Sequence, residues 1–195
     1  MRKLLMAAAV SAACVPPLAH AQAINFEGLG ISLGVTSANT TTEYVHSGNS
    51  INATSNDNNA VLQLQYNMAV NEVFVVGLGG TVNAGDLKAG TLGNTQYKVK
   101  DAYSLYVAPG YAFSNDWQGY GKLAYLNANL KDSNGQSYSF DNGWGYGIGL
   151  QAMFGKNWFG QLEYMVNQYA DRSPAPGDTL KLKANVYALS AGYKF

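Results

Sequence analysis

The sequence predicts an all-β chain, an eight-stranded antiparallel up-and-down transmembrane β-barrel. Three observations predict it. Residue character alternates with a period of two over eight separate runs, with no sustained helical spacing. One face of those runs is aliphatic and aromatic, while the other is small, amidic or charged. The connections between runs alternate between short and long.

Before the first run stands MRKLLMAAAVSAACVPPLAHAQA, which has the three parts of a secretory signal. Arg2 and Lys3 make the basic start, an apolar middle follows, and Ala19 and Ala21 bracket a small-x-small cleavage site. Cleavage is expected after Ala21, so residues 1–21 leave and residues 22–195 form the barrel domain. The apolar middle is too short, and too interrupted by Pro16 and Pro17, for a first membrane helix. Cys14 raises lipid anchoring as an alternative, but Ser11 stands where a Leu-like residue is wanted. Cys14 is the chain's one cysteine and would leave with the signal, so no disulfide, thiol nucleophile or zinc–thiolate site is expected.

Charged residues are 12% of the chain, against about 25% in typical globular domains. There is no basic run to suit nucleic acid, and that class of partner is set aside. Aromatics are also 12%, with 14 tyrosines among them.

The runs follow in order. Residues 26–36 (FEGLGISLGVT) open the series, and residues 61–70 (VLQLQYNMAV) set Leu62, Leu64, Tyr66 and Met68 against Gln63, Gln65 and Asn67. A tight turn leads into residues 73–83 (VFVVGLGGTVN). Residues 97–113 place Tyr103, Leu105, Val107, Tyr111 and Phe113 opposite Lys98, Lys100, Ser104 and Gly110. Residues 117–127 (WQGYGKLAYLN) carry Lys122 on the small face. In residues 143–154 (GWGYGIGLQAMF), Trp144, Tyr146, Ile148 and Leu150 alternate with four glycines. Residues 158–169 (WFGQLEYMVNQY) put Glu163 on the polar face, and residues 185–195 (NVYALSAGYKF) close the series.

Period two does not by itself separate a soluble barrel, such as a lipocalin-like one, from a membrane barrel. The faces do. A soluble barrel of eight strands fills its interior with aliphatics and sends its charges outward. Here the glycine-bearing face also carries Lys98, Lys100, Lys122 and Glu163. Turned outward, it would leave a nearly bare surface over an overfilled core. Turned inward, its small residues leave room, and these four ions are expected to form a barrel-interior polar cluster. Outward aromatics should make two girdles, one near the short turns (Tyr66, Phe74, Trp117, Phe154, Trp158) and one near the long loops (Tyr97, Tyr125, Trp144, Tyr187). Tyr106, Tyr120 and Phe159 fall inside as bulk beside glycines, and Asp101 is expected at a rim or a bulge. The first long connection is expected as a loop of about 20 residues, near residues 37–58.

With YGKLAYLNANL in the fifth run and GYKF at the end, the chain resembles the small eight-stranded outer-membrane β-barrel superfamily, the opacity-protein and OmpA- or OmpX-like porin-family domains. The resemblance implies a Gram-negative outer membrane, long loops outside and both termini periplasmic. It also implies that the terminal Phe195, with Tyr193 two before it, is read by the barrel-assembly machinery. Because the chain stops at the eighth run, the peptidoglycan-binding domain of some such proteins is not expected. Outer-membrane lipid and lipopolysaccharide are the expected partners, with a host or surface ligand reached through the loops. No cofactor or metal is expected. The leading reading is a non-enzymatic protein whose loops serve adhesion, interaction or envelope integrity. Alternatives are a narrow channel, a carrier of small hydrophobic molecules, and a lipid A-modifying enzyme. His46 is the mature chain's single histidine, and in an extended segment its neighbour Ser47 would point away from it, which disfavours a Ser–His pair.

Overall fold

The computed structural model describes residues 22–46, 49–92, 95–132, 137–173 and 178–195. The expected signal, with Ala19 and Ala21, lies outside the described residues, as does Ser47. A short 3-10 turn, Ala23–Phe26, precedes strands β1 (Gly28–His46), β2 (Asn49–Ala69), β3 (Phe74–Ala84), β4 (Leu87–Leu92) and β5 (Thr95–Ala112). Strands β6 (Trp117–Asp132), β7 (Ser137–Phe154), β8 (Trp158–Gln168) and β9 (Asp178–Lys194) complete the wall. Each strand pairs antiparallel with its neighbours, β9 returns to β1, and both β3 and β4 pair with β5. β3 and β4 are two lengths of one stave, interrupted at Gly85, whose φ of +122° a side chain would resist. The result is a closed barrel of eight staves, so no strand edge is left unpaired in its lower half.

The orientation expected from the two faces holds. Ile148 is 68% exposed and Trp144 65%, whereas the alternating Gly145, Gly149 and Gln151 are buried. Phe74–Tyr111 and Trp158–Tyr193 ring pairs, with centroids 5.4 and 5.3 Å apart, mark the girdle at the short-turn end. Tyr125–Trp144 and Tyr164–Tyr187 mark the other. Tyr97 was expected in that second girdle, and its side chain lies outside the described residues.

The short turns are built by side chains accepting backbone N–H groups. Asn71 Oδ1 takes those of Val73 and Phe74 at 2.9 and 2.8 Å, and Ser114 Oγ takes that of Trp117 at 3.0 Å. The opposite end differs from expectation. Most of residues 37–58 is not loop but a tall hairpin, with β1 and β2 paired from Gly28↔Asn67 up to His46↔Asn49. Above the girdle the outer face turns to Asn, Thr and Ser, which removes the apolar contrast that marks a strand without removing the pairing.

The inward rings sit where glycines make room. A Cβ on Gly149 would strike the Tyr120 ring, one on Gly79 the Tyr106 ring, and one on Gly192 the Phe159 ring. Asp101 is an extra residue in β5, with φ +51° and a register shift between Lys100 and Tyr103, so the expected bulge is there.

Candidate functional site

Two places concentrate polar chemistry: the lumen, and the rim at the tall-hairpin end. At the short-turn end the lumen is stopped by the 3-10 turn. Phe26 packs fully buried with Phe159, Met153, Val75 and Ala112. The Ala23 N–H reaches Glu72 O at 2.8 Å, and Lys194 Nζ reaches Asn25 O at 2.6 Å.

Next comes a layer of glutamines projected from four strands. Gln63 and Gln161 both donate to Gln65 Oε1 at 2.9 Å, while Gln118 and Gln161 donate to Gln151 Oε1 at 3.0 and 3.1 Å. Above it Lys122 Nζ stands 2.9 Å from each Glu163 oxygen. Tyr120 donates to Glu163 at 2.7 Å, Lys122 also reaches Gln63 at 3.1 Å, and its ammonium lies 3.9 Å from the Tyr106 ring centroid. This pair is buried, fully hydrogen-bonded and spans the lumen from β6 to β8. A cavity of about 100 Å³ follows, lined by Thr36, Val61, Thr81, Ala124 and Met165 over a floor of Lys122 and Glu163. Leu130, Leu180, Leu182, Val99 and Ala89 roof it.

The expected four-charge interior cluster is therefore corrected to one pair. The structure brings Lys122 and Glu163 together and leaves Lys98 and Lys100 outside. The cause is the Asp101 bulge: below it Ala102, Ser104 and Tyr106 face inward, and beyond it Val99 does. The alternation changes parity, turning Lys98 to solvent and Lys100 to an outer ion pair with Asp86 at 2.8 Å. The Asp86 carboxylate raises the Lys100 pKa above its ordinary value.

At the rim, His46 Nδ1 lies 2.5 Å from Asp178 Oδ1, and Tyr44 donates to Asp178 Oδ2 at 2.5 Å. The Tyr44 hydrogen bond, then that of His46, hold the Asp178 carboxyl below its usual range. Sequence reasoning missed this trio, because Asp178 lies 132 residues from His46 and only the β1–β9 register brings them level. Such a pair orients an imidazole, and a nucleophile would be the further requirement for acyl chemistry. Among the described residues, no group of three or more His, Cys, Asp and Glu converges to hold a metal ion. Phe195 is 72% exposed, stacks edge-on with Tyr193 at 5.1 Å, and donates its N–H to Leu29 O.

The family described as outer membrane protein beta-barrel domain matches residues 5–195. No curated protein matches the sequence. Among solved structures, the chain is similar to Ail, the attachment invasion locus protein of Yersinia pestis, in complex with the heparin analogue sucrose octasulfate. Identity there is 21%, covering 87% of this chain and 99% of that one, with a TM-score of 0.52. Neisserial surface protein A is 14% identical over 87% of this chain and 98% of its own, also with a TM-score of 0.52. The outer membrane protease OmpT from Escherichia coli is 8% identical over 86% and 97%, with a TM-score of 0.50. At these identities the likeness is one of fold.

Proposed function

This chain belongs to the outer-membrane protein β-barrel domain family, and on that premise we propose that it is a non-enzymatic surface protein of the bacterial outer membrane. Its barrel is a rigid pedestal, and its tall hairpins are the working part, used for adhesion, partner binding or envelope integrity. The observation that carries this reading is the lumen. The glutamine layer, the Lys122–Glu163 pair and the Phe26 stopper fill successive sections of it, while the polar hairpins of β1, β2, β4, β5, β6 and β7 stand beyond the apolar belt. An eight-stranded barrel has room for side chains and little else.

Residues 1–21 serve as the cleaved signal and residues 22–195 as the barrel domain, with cleavage after Ala21. Tyr193 and Phe195 act as the assembly signal at the periplasmic end, where both termini and the short turns lie. Lipopolysaccharide and lipid surround the barrel, and the loops carry any host ligand. The His46–Asp178–Tyr44 trio is structural in this reading, tying the start of β9 to the tip of β1.

A second reading, a carrier for small molecules, is favoured by one observation. The cavity reaches Asn83 and Ala102, beside the β3–β4 interruption and the Asp101 bulge on adjacent staves. Purified protein in a planar bilayer and in vesicles separates the two. Silence, with no protein-dependent uptake of a small hydrophobic solute into vesicles, supports the pedestal, and such uptake supports the carrier. Loss of surface binding when residues 40–54 are shortened, with the barrel still folded, tests the role of the hairpins.

A further inference from the structure

On the outer wall beyond the girdle, the register lines up three lysines. Lys88 of β4 is the cross-strand partner of Lys98 of β5, and Lys98 is the partner of Lys131 of β6. All three are exposed, and they share the outward face, because Ala89, Val99 and Leu130 beside them are buried inward. Strands are about 4.8 Å apart, so the row holds three like charges within about 10 Å. Like charges placed directly opposite destabilise a ladder.

Two other lysines at this end are compensated, while Lys183 of β9 stands exposed with no like charge opposite it. Lys100 pairs with Asp86 at 2.8 Å, and Lys181 with Glu43 at 3.7 Å. Among the described residues none of the three row lysines is in an ion pair. Asp57 accepts the backbone N–H of Lys88 at 2.9 Å; that bond comes first in lowering its pKa, and the Lys88 charge comes last. Two irregularities set the row. The Asp101 bulge turns Lys98 outward, and a register shift between Lys88 and Gly90 sets β4 against it.

We propose that the row Lys88, Lys98 and Lys131 is a binding site for the anionic headgroup saccharide of the surrounding leaflet, the phosphate and acid-sugar groups of lipopolysaccharide. This rests on the proposed outer-membrane placement and names the residues that would make the lipid contact. Height selects the occupant. Lys131 lies six residues beyond the girdle residue Tyr125 along β6, about 20 Å of strand, or about 15 Å above the girdle after tilt. A side wall at that height faces the carbohydrate of neighbouring lipids, whereas a partner from another surface meets the hairpin tips first. Three closely spaced ammonium groups suit a ligand carrying several anions, and the contact is salt-sensitive.

The test uses the triple variant Lys88→Gln, Lys98→Gln, Lys131→Gln, with Lys156→Gln in the Gly155–Asn157 turn as control. Thermal unfolding is followed by gel mobility in three vesicle types: zwitterionic phospholipid, the same with lipopolysaccharide, and the same with dephosphorylated lipopolysaccharide. The expected result is a change of sign. In plain phospholipid the triple variant matches or exceeds wild type, because repulsion is relieved. With lipopolysaccharide, wild type is stabilised, the triple variant is not, and apparent affinity falls about tenfold. Dephosphorylation abolishes the gain. Equal stabilisation of wild type and triple variant overturns the proposal, as does row-dependent binding of soluble heparin without any lipopolysaccharide effect. Neither outcome touches the outer-membrane reading, which is tested separately by fractionation of the same proteins.

Discussion

Replacing Glu163 by Gln keeps the shape of the side chain and removes its charge. Tyr120 can still donate to the amide oxygen, so the 2.7 Å bond survives. Lys122 is the group stranded. It loses the opposing charge and the 2.9 Å contact to Oε2, whose place an NH2 donor takes, and keeps the amide oxygen at 2.9 Å, Gln63 at 3.1 Å and the Tyr106 ring at 3.9 Å. Breaking one partner of a buried pair typically costs about 3–5 kcal/mol, and the amide oxygen that still accepts from Lys122 offsets about 1–2 of it. The expected net loss for Glu163→Gln is about 2–3 kcal/mol. Removing both charges at once, with Lys122→Met and Glu163→Leu together, should cost less than the single change, about 1–2 kcal/mol, because no buried ion is then unpaired and only the Tyr120 hydroxyl and the Gln63 oxygen lose a partner. Urea unfolding from phospholipid vesicles, read by tryptophan emission, measures both, provided the slopes agree between variants. If the single variant loses less than about 1 kcal/mol, or the double variant is as unstable as the single, Lys122 has another partner and the lumen is not closed as described.

Three further outcomes follow from the geometry. Gly149→Ala should cost about 1–3 kcal/mol by pressing on the Tyr120 ring, and Tyr120→Leu in the same chain should recover most of it. Phe26→Ala should cost about 3 kcal/mol by emptying the stopper, with amide exchange rising at Ala112 and Met153 and not at the tall hairpins. The Asp178 carboxyl is depressed by Tyr44 and His46, so its stabilisation is present above the ordinary carboxylate value near 4 and is lost as pH falls through the lower folded value. Amide exchange at the β1–β9 rim should therefore quicken below about pH 4, and less so in Tyr44→Phe; pH-independent protection, after correction for intrinsic exchange, would refute the tie.

The membrane-facing half of the molecule was legible because hydrocarbon imposes a strict contrast on successive residues. Trp144, Tyr146, Ile148 and Leu150 against their glycines leave no second assignment, and the inward Tyr106, Tyr120 and Phe159 are explained by glycines across the lumen. Above the girdle that contrast lapses. Residues such as Thr40, Thr42 and Asn39 look alike on both faces, so the strand continues unannounced for most of residues 37–58. A bulge is harder still, since one extra residue reverses every inward and outward assignment beyond it. Asp101 looked out of place in the sequence, but extending the alternation through it put Lys98 and Lys100 in the lumen. The Ala23–Phe26 stopper and the His46–Asp178 contact depend on closure of the barrel, which joins residues far apart in the chain.

The direct test of the account is which face meets lipid. Single cysteines at Ile148, Leu150, Gln151 and Gln161 would carry a fluorophore in vesicles holding a quencher fixed in the acyl chains. Strong quenching at the first two positions, with poor labelling or weak quenching at the two glutamine sites, is the predicted pattern. Quenching at Gln151 and Gln161, with Ile148 and Leu150 shielded, would turn the barrel right side in and contradict it.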